Sequence, residues 1–553
     1  MSLLPKKNEP LITYNSTRPL SILPIFRHIF EGLILPIFID STKPFTHLHP
    51  AQAGFRKGYS TLSQAAICHH ALSTKSIQYA IFLDFQAAYD VTSANHIMSS
   101  LQNRNMPAPL QHLIHSLMFQ DASFQLIVNS KLSSSIQRNR GLPQGSPLSP
   151  VIFDMFIDSL IHELNYDHND ILPQCLFFAD DGLLLCKTLS IAKKQLVVAE
   201  RWAKENGMTY NVPKCGVICI DSPPMVGENL LYLSGKELSI VQSYKYLGFH
   251  VTAEGIDFVN HIRLQTESAT SFLKYVYVQC SEWSPYTRYV IYNTFLRPKL
   301  EYGAPLSYAF KQYSTSKELL DPIQKLQNEA IAWVFNSNVN KMKVLEGILG
   351  ALTVEQRFSH LRCSFQLHLN QSARSNPIRL LIQMSYRSQY LFTLRNDELY
   401  DQFSNTPDLP TAHQQLKIRM SEFLLSRRSG IISKSKSVLV NYIPITSRTA
   451  GLVDKVLIAP IQFQRLFLSW RRGALFLNRV CICGERWHRR HISCLPKAQL
   501  TFKHHIEFLK CQAEQSKNFC ELDYLLHVEE WKIAFELITL WRSVLDSVKM
   551  ADD

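Results

Sequence analysis

Cys175-Leu-Phe-Phe-Ala-Asp-Asp-Gly-Leu-Leu-Leu185 is the stretch that decides the fold of this chain. Two adjacent carboxylates, Asp180 and Asp181, stand inside an otherwise apolar run. The flanks are short and apolar, so the pattern predicts strand, tight turn, strand. Like charges this close repel, and a carboxylate withdrawn from water tends to take up a proton. A bound divalent cation reverses that balance. The run is therefore either a hairpin that holds a metal ion over a phosphoryl-transfer site or an ordinary acidic turn.

A second acidic position lies upstream, in Ile77-Gln-Tyr-Ala-Ile-Phe-Leu-Asp84-Phe-Gln-Ala-Ala-Tyr89-Asp90. Tyr79, Ile81 and Leu83 alternate with Ala80, Phe82 and Asp84, which predicts a strand ending on a carboxylate. Taken alone, Asp84 also fits the N-cap of a following helix. Two strands that deliver carboxylates to one place are the least a protein must contribute to two-metal catalysis. Magnesium suits such a site, because it takes a few carboxylates together with substrate phosphates. A third string is Arg140-Gly-Leu-Pro-Gln-Gly-Ser-Pro-Leu-Ser-Pro-Val-Ile-Phe-Asp-Met-Phe-Ile-Asp-Ser-Leu160. Its Gly and Pro residues mark a loop, after which Ser149 as N-cap and Pro150 in the first turn open an amphipathic helix. A Gly-rich loop lets backbone approach a ligand closely.

In this order and spacing the three strings resemble the palm of reverse transcriptases, most specifically those of non-LTR (LINE-type) retrotransposons. The resemblance extends to both sides. Leu4-Pro-Lys-Lys7, Thr17-Arg-Pro-Leu-Ser-Ile-Leu23 and Ala53-Gly-Phe-Arg-Lys-Gly-Tyr-Ser-Thr61 are similar to fingers segments. Trp202 to Lys214 resembles the segment after the catalytic hairpin, and Tyr244-Lys-Tyr-Leu-Gly-Phe249 the primer-grip hairpin. Leu296-Arg-Pro-Lys-Leu-Glu-Tyr-Gly303, Gln324 and the stretch from Leu345 to Arg357 are similar to the thumb.

The resemblance implies roles. Asp84 and Asp180 would be the principal ligands of two Mg2+ ions (Mn2+ being an alternative), with Asp181 a looser third carboxylate near the primer end. Phe85 would meet the incoming nucleotide through its backbone. Tyr89 would be a steric gate against a ribose 2′-hydroxyl, so that the product is DNA. Gln144 would sit against nucleotide and template. Lys6 or Lys7 and Arg18 would grip the triphosphate, where cations balance the charge on departing pyrophosphate. Lys214 would protonate that leaving group, or be a solvated lysine at a turn. Asp90 is expected to be structural or helix-capping, and Asp154 and Asp158 structural.

The 553 residues allow several domains, and the formal net charge of +13 favours an anionic partner. Basic clusters at Lys417, Arg419, Arg427, Arg428, Lys434 and Lys436, and at Arg471, Arg472, Arg486, Arg489 and Arg490, support phosphate contacts. The apolar stretch from Ile22 to Ile39 is broken by Pro24, Arg27, His28, Glu31 and Pro36. It is expected to be a buried helix plus loop, not a membrane span. The twelve cysteines are scattered, and no disulfides are expected. Cys481-Ile-Cys483-Gly-Glu-Arg-Trp-His488-Arg-Arg-His491-Ile-Ser-Cys494 gathers three thiols and two imidazoles. That donor set suits a structural zinc ion, with His488 or His491 as the fourth ligand, although Cys-x-Cys is tighter than the usual spacing.

The expected architecture is α+β: a right-hand polymerase with fingers and palm over 1–250 and a mostly helical thumb and connection over 251–375. A basic helical region over 376–553 would carry the Cys/His knuckle at 481–494. The expected partners are an RNA template, a DNA primer and dNTPs, in nucleus or cytoplasm, neither secreted nor membrane-bound. No nuclease or RNase H signature is found, so the expectation is a truncated element copy, a gene fragment or a product that takes an endonuclease in trans. The competing reading is a catalytically inactive retroelement relic that binds nucleic acid.

Overall fold

The computed structural model describes residues 2–5, 17–40, 42–120, 122–128, 131–138, 140–165, 172–221, 230–280, 282–307, 317–335, 351–370 and 531–549, with isolated positions between 372 and 467. The chain divides into two units, residues 1–261 with 368–393 and residues 262–367 with 394–553.

In the first unit β1 (Ser2–Pro5) pairs antiparallel with β2 (Thr17–Leu20), and α1 (Ile25–Ile39) follows. The helix α2 (Thr61–Ser73) starts from a capping box in which Ser60 and Ser63 bond one another's backbone. Next come β3 (Tyr79–Leu83), the short α3 (Ala88–Val91), α4 (Ala94–Asn103) and α5 (Ala108–Met118). Four two-residue strands, β4 (Ser123–Phe124), β5 (Ile127–Val128), β6 (Lys131–Leu132) and β7 (Ile136–Gln137), lead to α6 (Ser149–Leu164). The hairpin β8 (Cys175–Phe178) and β9 (Asp181–Cys186) precedes α7 (Leu189–Glu205) and β10 (Gly216–Cys219). The small strands β11 (Tyr232–Leu233), β12 (Lys236–Glu237), β13 (Ser243–Tyr246), β14 (Phe249–Thr252) and β15 (Gly255–Ile256) end the unit.

The sheet that positions the site has the order β10-β3-β9-β8. Every pairing in it is antiparallel. Both faces are covered, which explains why its strands are apolar throughout. Tyr79, Ile81 and Leu83 join Phe177, Leu184 and Cys186 in the core with Phe153, Phe156 and Trp202 of α6 and α7. On the other face Phe82 stacks on Tyr244 of β13, with ring centroids 4.2 Å apart and planes 10° from parallel. Helix α6 runs through the middle of the unit and packs on α4, α7 and β8, so twelve of its sixteen residues are buried.

Two local expectations are corrected. Ser149 is not the N-cap of α6 but its first residue, and its hydroxyl has no partner among the described residues. Leu148 holds the N-cap position without a side-chain bond of its own, and the Oγ of Ser146 accepts from the amides of Leu148 and Ser149 and donates to Glu31. The α1 stretch is a helix but is not buried. Only Glu31 and Phe38 are buried in it, whereas Phe26 is 83 % and Leu33 72 % exposed. The bonds that Glu31 accepts from Ser146 and from Arg27 (2.7 Å) turn that face inward.

The second unit is helical among its described residues. It comprises α8 (Phe258–Gln279), α9 (Pro285–Ile291), α10 (Arg297–Glu301), α11 (Ala304–Ser307), α12 (Lys317–Phe335), α13 (Val354–Asn370) and α14 (Trp531–Lys549), the ends of α8 and α13 reaching into the first. Leu296, Leu300, Ile331, Trp333, Phe358, Phe467 and Leu537 form its core. Motif pieces far apart in sequence meet here. Glu301 accepts two bonds from Arg357 (2.8 and 2.9 Å) and one from Arg297 (2.6 Å), and Gln324 Oε1 accepts from the amide of Val354 (2.8 Å). No described helix is long and apolar enough to cross a membrane.

Candidate active site

Strand pairing brings the acidic residues together. Leu83 faces Gly182, and Phe178 faces Asp181 across the hairpin. One residue past Leu83, Asp84 therefore leaves the sheet at the end where Ala179 and Asp180 form the turn and Asp181 begins β9. Asp84 and Asp180 are half-buried and Asp181 is exposed. Asp84 is not an N-cap, because α3 begins only at Ala88, behind Ala87. Its backbone is tied on both sides: its amide donates to Cys215 Sγ (3.4 Å) and its carbonyl accepts from the amide of Asn211 (2.8 Å).

The carboxylate charges are felt nearby. Burial first, then the charges of Asp154 and Asp180, push the Tyr89 phenol upward. Tyr244 is raised by burial and by Asp84, Cys215 and Asp181. The Cys215 thiol is pushed up to about 11, mainly by burial. Asp154, buried on α6 with Oδ1 unpartnered among the described residues, is held well above the usual carboxylate range. Burial is the main cause; Arg56 opposes it, and Asp158 and Asp180 add to it. Burial and the neighbouring carboxylates thus favour its neutral form. Asp158, also buried, goes the other way: bonds from His162, Arg104 (2.7 Å) and the His49 amide (2.7 Å) outweigh burial and lower its pKa. It pins α6 to α4 and to the loop at 49, in keeping with a structural role.

The residues expected at the nucleotide are held as follows where the structure describes them. Phe85 is buried and stacks on Tyr210 at 4.4 Å. The Tyr89 ring stacks on Phe153 at 4.6 Å, and its hydroxyl is buried without a described partner. Gln144 is fixed by backbone and side chain. Its carbonyl accepts from the Ser21 amide (2.6 Å), and its Nε2 donates to Asp90 Oδ1 (3.0 Å). Gly145 lets the Ser21 strand end come this close: at φ +128° a Cβ would lie 2.4 Å from the Ser21 carbonyl oxygen. Asp90 lies inside α3 and does not cap it; its carboxylate orients Gln144 instead. Lys214 sits in a short turn, exposed, and its carbonyl accepts from Tyr244 Oη (2.8 Å). Arg18 lies in β2 opposite Leu4. Lys6, Lys7, Cys481, Cys483, His488, His491, Cys494 and the C-terminal basic clusters lie outside the described residues.

Gln52 is the residue that sequence reasoning missed. It is fully buried, and its side chain bonds the backbone of Ala179 in the acidic turn. The only signal was its place before Ala53-Gly-Phe-Arg, which marks a segment but not a contact 127 residues away.

Three oxygen-bearing side chains at one sheet end suit a hard cation such as Mg2+. Among the described residues no three His, Cys, Asp or Glu side chains enclose a metal by themselves. Magnesium does not need such a cage, since it keeps waters and takes substrate phosphates as ligands.

Residues 4–251 match the family described as reverse transcriptase (RNA-dependent DNA polymerase). The chain is 24 % identical over 322 residues to a Pol polyprotein from the type-1 retrotransposable element R2 of Popillia japonica, covering 54 % of this chain and 50 % of that one. It is 26 % identical over 309 residues to the RNA-directed DNA polymerase from the mobile element jockey of Drosophila melanogaster, covering 52 % and 33 %. The chain thus spans a third to a half of the length of these curated relatives. Among solved structures, telomerase from Candida albicans with a telomeric RNA fragment aligns with TM-score 0.36 and 11 % identity, covering 74 % of this chain and 56 % of that one. Residues 4–251, which hold the acidic turn, Asp84 and the Gln144 loop, are thus the part of the chain that matches the reverse transcriptase family, and the relatives similar to this chain are retrotransposon proteins.

Proposed function

We propose that this chain is an RNA-directed DNA polymerase of a LINE-type element. The observation that carries the reading is the delivery of Asp84, Asp180 and Asp181 to one end of the β10-β3-β9-β8 sheet. The 3′-hydroxyl of a DNA primer, paired to an RNA template, attacks the α-phosphate of a dNTP. A new phosphodiester P–O bond forms, the bond to the β-phosphate's bridging oxygen breaks, and pyrophosphate leaves. Bound Mg2+ supplies activation of the hydroxyl and charge stabilisation of the leaving oxygen. Asp84 and Asp180 hold the ions, and Asp181 faces the primer end. The Phe85 backbone and the Gln144 side chain, aimed by Asp90, position the nucleotide. Tyr89, rigidly stacked on Phe153, excludes a 2′-hydroxyl. Arg18 with Lys6 or Lys7 grips the triphosphate, and Lys214 gives a proton to the leaving group. The Cys481, Cys483, His488, His491 and Cys494 cluster binds one structural zinc, which metal analysis of purified protein will count.

The test is extension of a DNA primer on an RNA template with dNTPs and magnesium. The parent should extend it, and Asp180→Ala should lose on the order of 10³-fold in rate while duplex affinity stays within about threefold. Equal rates for the two proteins would remove the assignment. No extension by a folded, nucleic-acid-binding parent would favour the relic reading.

A further inference from the structure

Three hydrogen bonds converge on the Gln52 carboxamide, which is wholly buried. Its Oε1 accepts from the amides of Ala179 (2.9 Å) and Gly54 (2.9 Å), and its Nε2 donates to the Ala179 carbonyl (3.3 Å). One side chain thus satisfies both backbone groups of Ala179. That residue has φ +56°, the left-handed region that a residue with a Cβ seldom enters. Such a conformation persists only where its surroundings over-determine it.

The surroundings do so here. Gln52 bridges Phe177 in parallel, with the Ala53 amide on the Phe177 carbonyl (2.8 Å) and the Phe177 amide on the Ala51 carbonyl (2.9 Å). Arg56 Nη1 donates back to the carbonyls of His49 and Gln52, both at 2.8 Å, and Gln64 Nε2 donates to that of Ala51 (3.1 Å). Gly54 leaves no room for movement: a Cβ there would lie 2.5 Å from the Ala179 nitrogen.

We infer that Gln52 is a positioning residue of nucleotidyl transfer, acting through Ala179 to hold the turn that presents Asp180 and Asp181. This rests on the polymerase reading above. Gln52 touches neither nucleotide nor primer, so its loss should spare binding and impair turnover.

Gln52→Met removes all three bonds at similar volume, and Gly54→Ala displaces the same turn from the other side. Each is compared with the parent by amide hydrogen exchange, by kcat and KM for dNTP on a primed RNA template, and by duplex affinity. The expected result for Gln52→Met is about a tenfold or greater loss of both kcat and exchange protection at residues 179–181. Protection of β3 and β9, KM and duplex affinity should stay within about threefold. Gln52→Glu, which still accepts from Ala179 and Gly54, should recover part of kcat. Unchanged protection at 179–181, or kcat within twofold of the parent, overturns the inference. Protection lost evenly across β3 and β9 with KM raised overturns it too, since that marks a merely structural role. If Gln52→Met does not fold, Gly54→Ala decides by the same readouts. If the parent extends no primer, the polymerase reading fails, and the exchange comparison alone decides whether Gln52 holds the turn.

Discussion

Asp154 and Asp158 stand four residues apart on one helix, both buried, and their environments drive them in opposite directions. Asp154, pushed toward its neutral form, should tolerate Asp154→Asn, with extension rate within about threefold and unfolding free energy unchanged or higher. Asp158→Asn leaves Arg104 facing an uncharged partner and should cost about 3 kcal/mol in denaturant unfolding. If the two variants are equally stable, the assignment of charge is wrong. At the nucleotide, Asp90→Leu should raise KM for dNTP roughly five- to tenfold, because Gln144 loses its one described side-chain partner's hold. Tyr89→Ala should raise ribonucleotide incorporation relative to dNTP, read by competition on one template, if the ring held by stacking on Phe153 is the proposed gate. Asp84, Asp180 and Asp181 were legible in the sequence because each sits in a short string whose pattern survives without any tertiary knowledge. Gln52 and Asp90 were not, because their work is a contact across 127 and 54 residues that no local pattern encodes. The cap at α6 was misplaced by one residue, and the serine that meets its first amides is Ser146: it and Ser149 look alike until Glu31 selects one.

At the scale of elements, the strand and hairpin predictions rested on alternation and turn residues, and β3, β8 and β9 follow them closely. The β13–β14 hairpin turns through Leu247 and Gly248, both at positive φ, as a two-residue turn between right-twisting strands requires. What alternation did not show is how β15 is anchored. His69 on α2 accepts the Ile256 amide at Nδ1 (2.9 Å), and burial, helped by neighbouring His70, lowers its pKa to about 4. The unfolded chain carries that imidazole near 6.5. Between these values the unfolded state binds more protons, so stability rises with pH across the window. It should be fully present above about pH 6.5 and fall by up to ~3 kcal/mol as pH drops toward 4. Chemical denaturation from pH 4 to 7 checks this, and His69→Gln should flatten the dependence. In the second unit the sequence supplied Glu301, Gln324 and Arg357 as separate fragments of one resemblance. Their direct bonds could only be seen once the helices had packed.

Over the whole molecule, a net charge of +13 makes nucleic-acid affinity an electrostatic quantity. Duplex binding should weaken by roughly 10³-fold or more between 50 and 200 mM salt if six or more phosphates are neutralised. A flat response in a fluorescence titration would place binding on apolar contacts instead. The α+β composition and the palm order were readable from the sequence, since the motifs recur in a fixed sequence of strands. The face that α1 presents was not. Its apolar residues suggested burial, but Phe26, Ile29 and Leu33 lie along one side and stand open to solvent. That stripe bears on how the protein must be handled at the bench. Dyes that brighten on apolar surfaces will bind it before any unfolding, so a dye-monitored melting curve will begin from a high baseline and obscure the transition. Circular dichroism avoids the artefact, and Phe26→Glu with Leu33→Lys should lower the starting fluorescence without moving the midpoint.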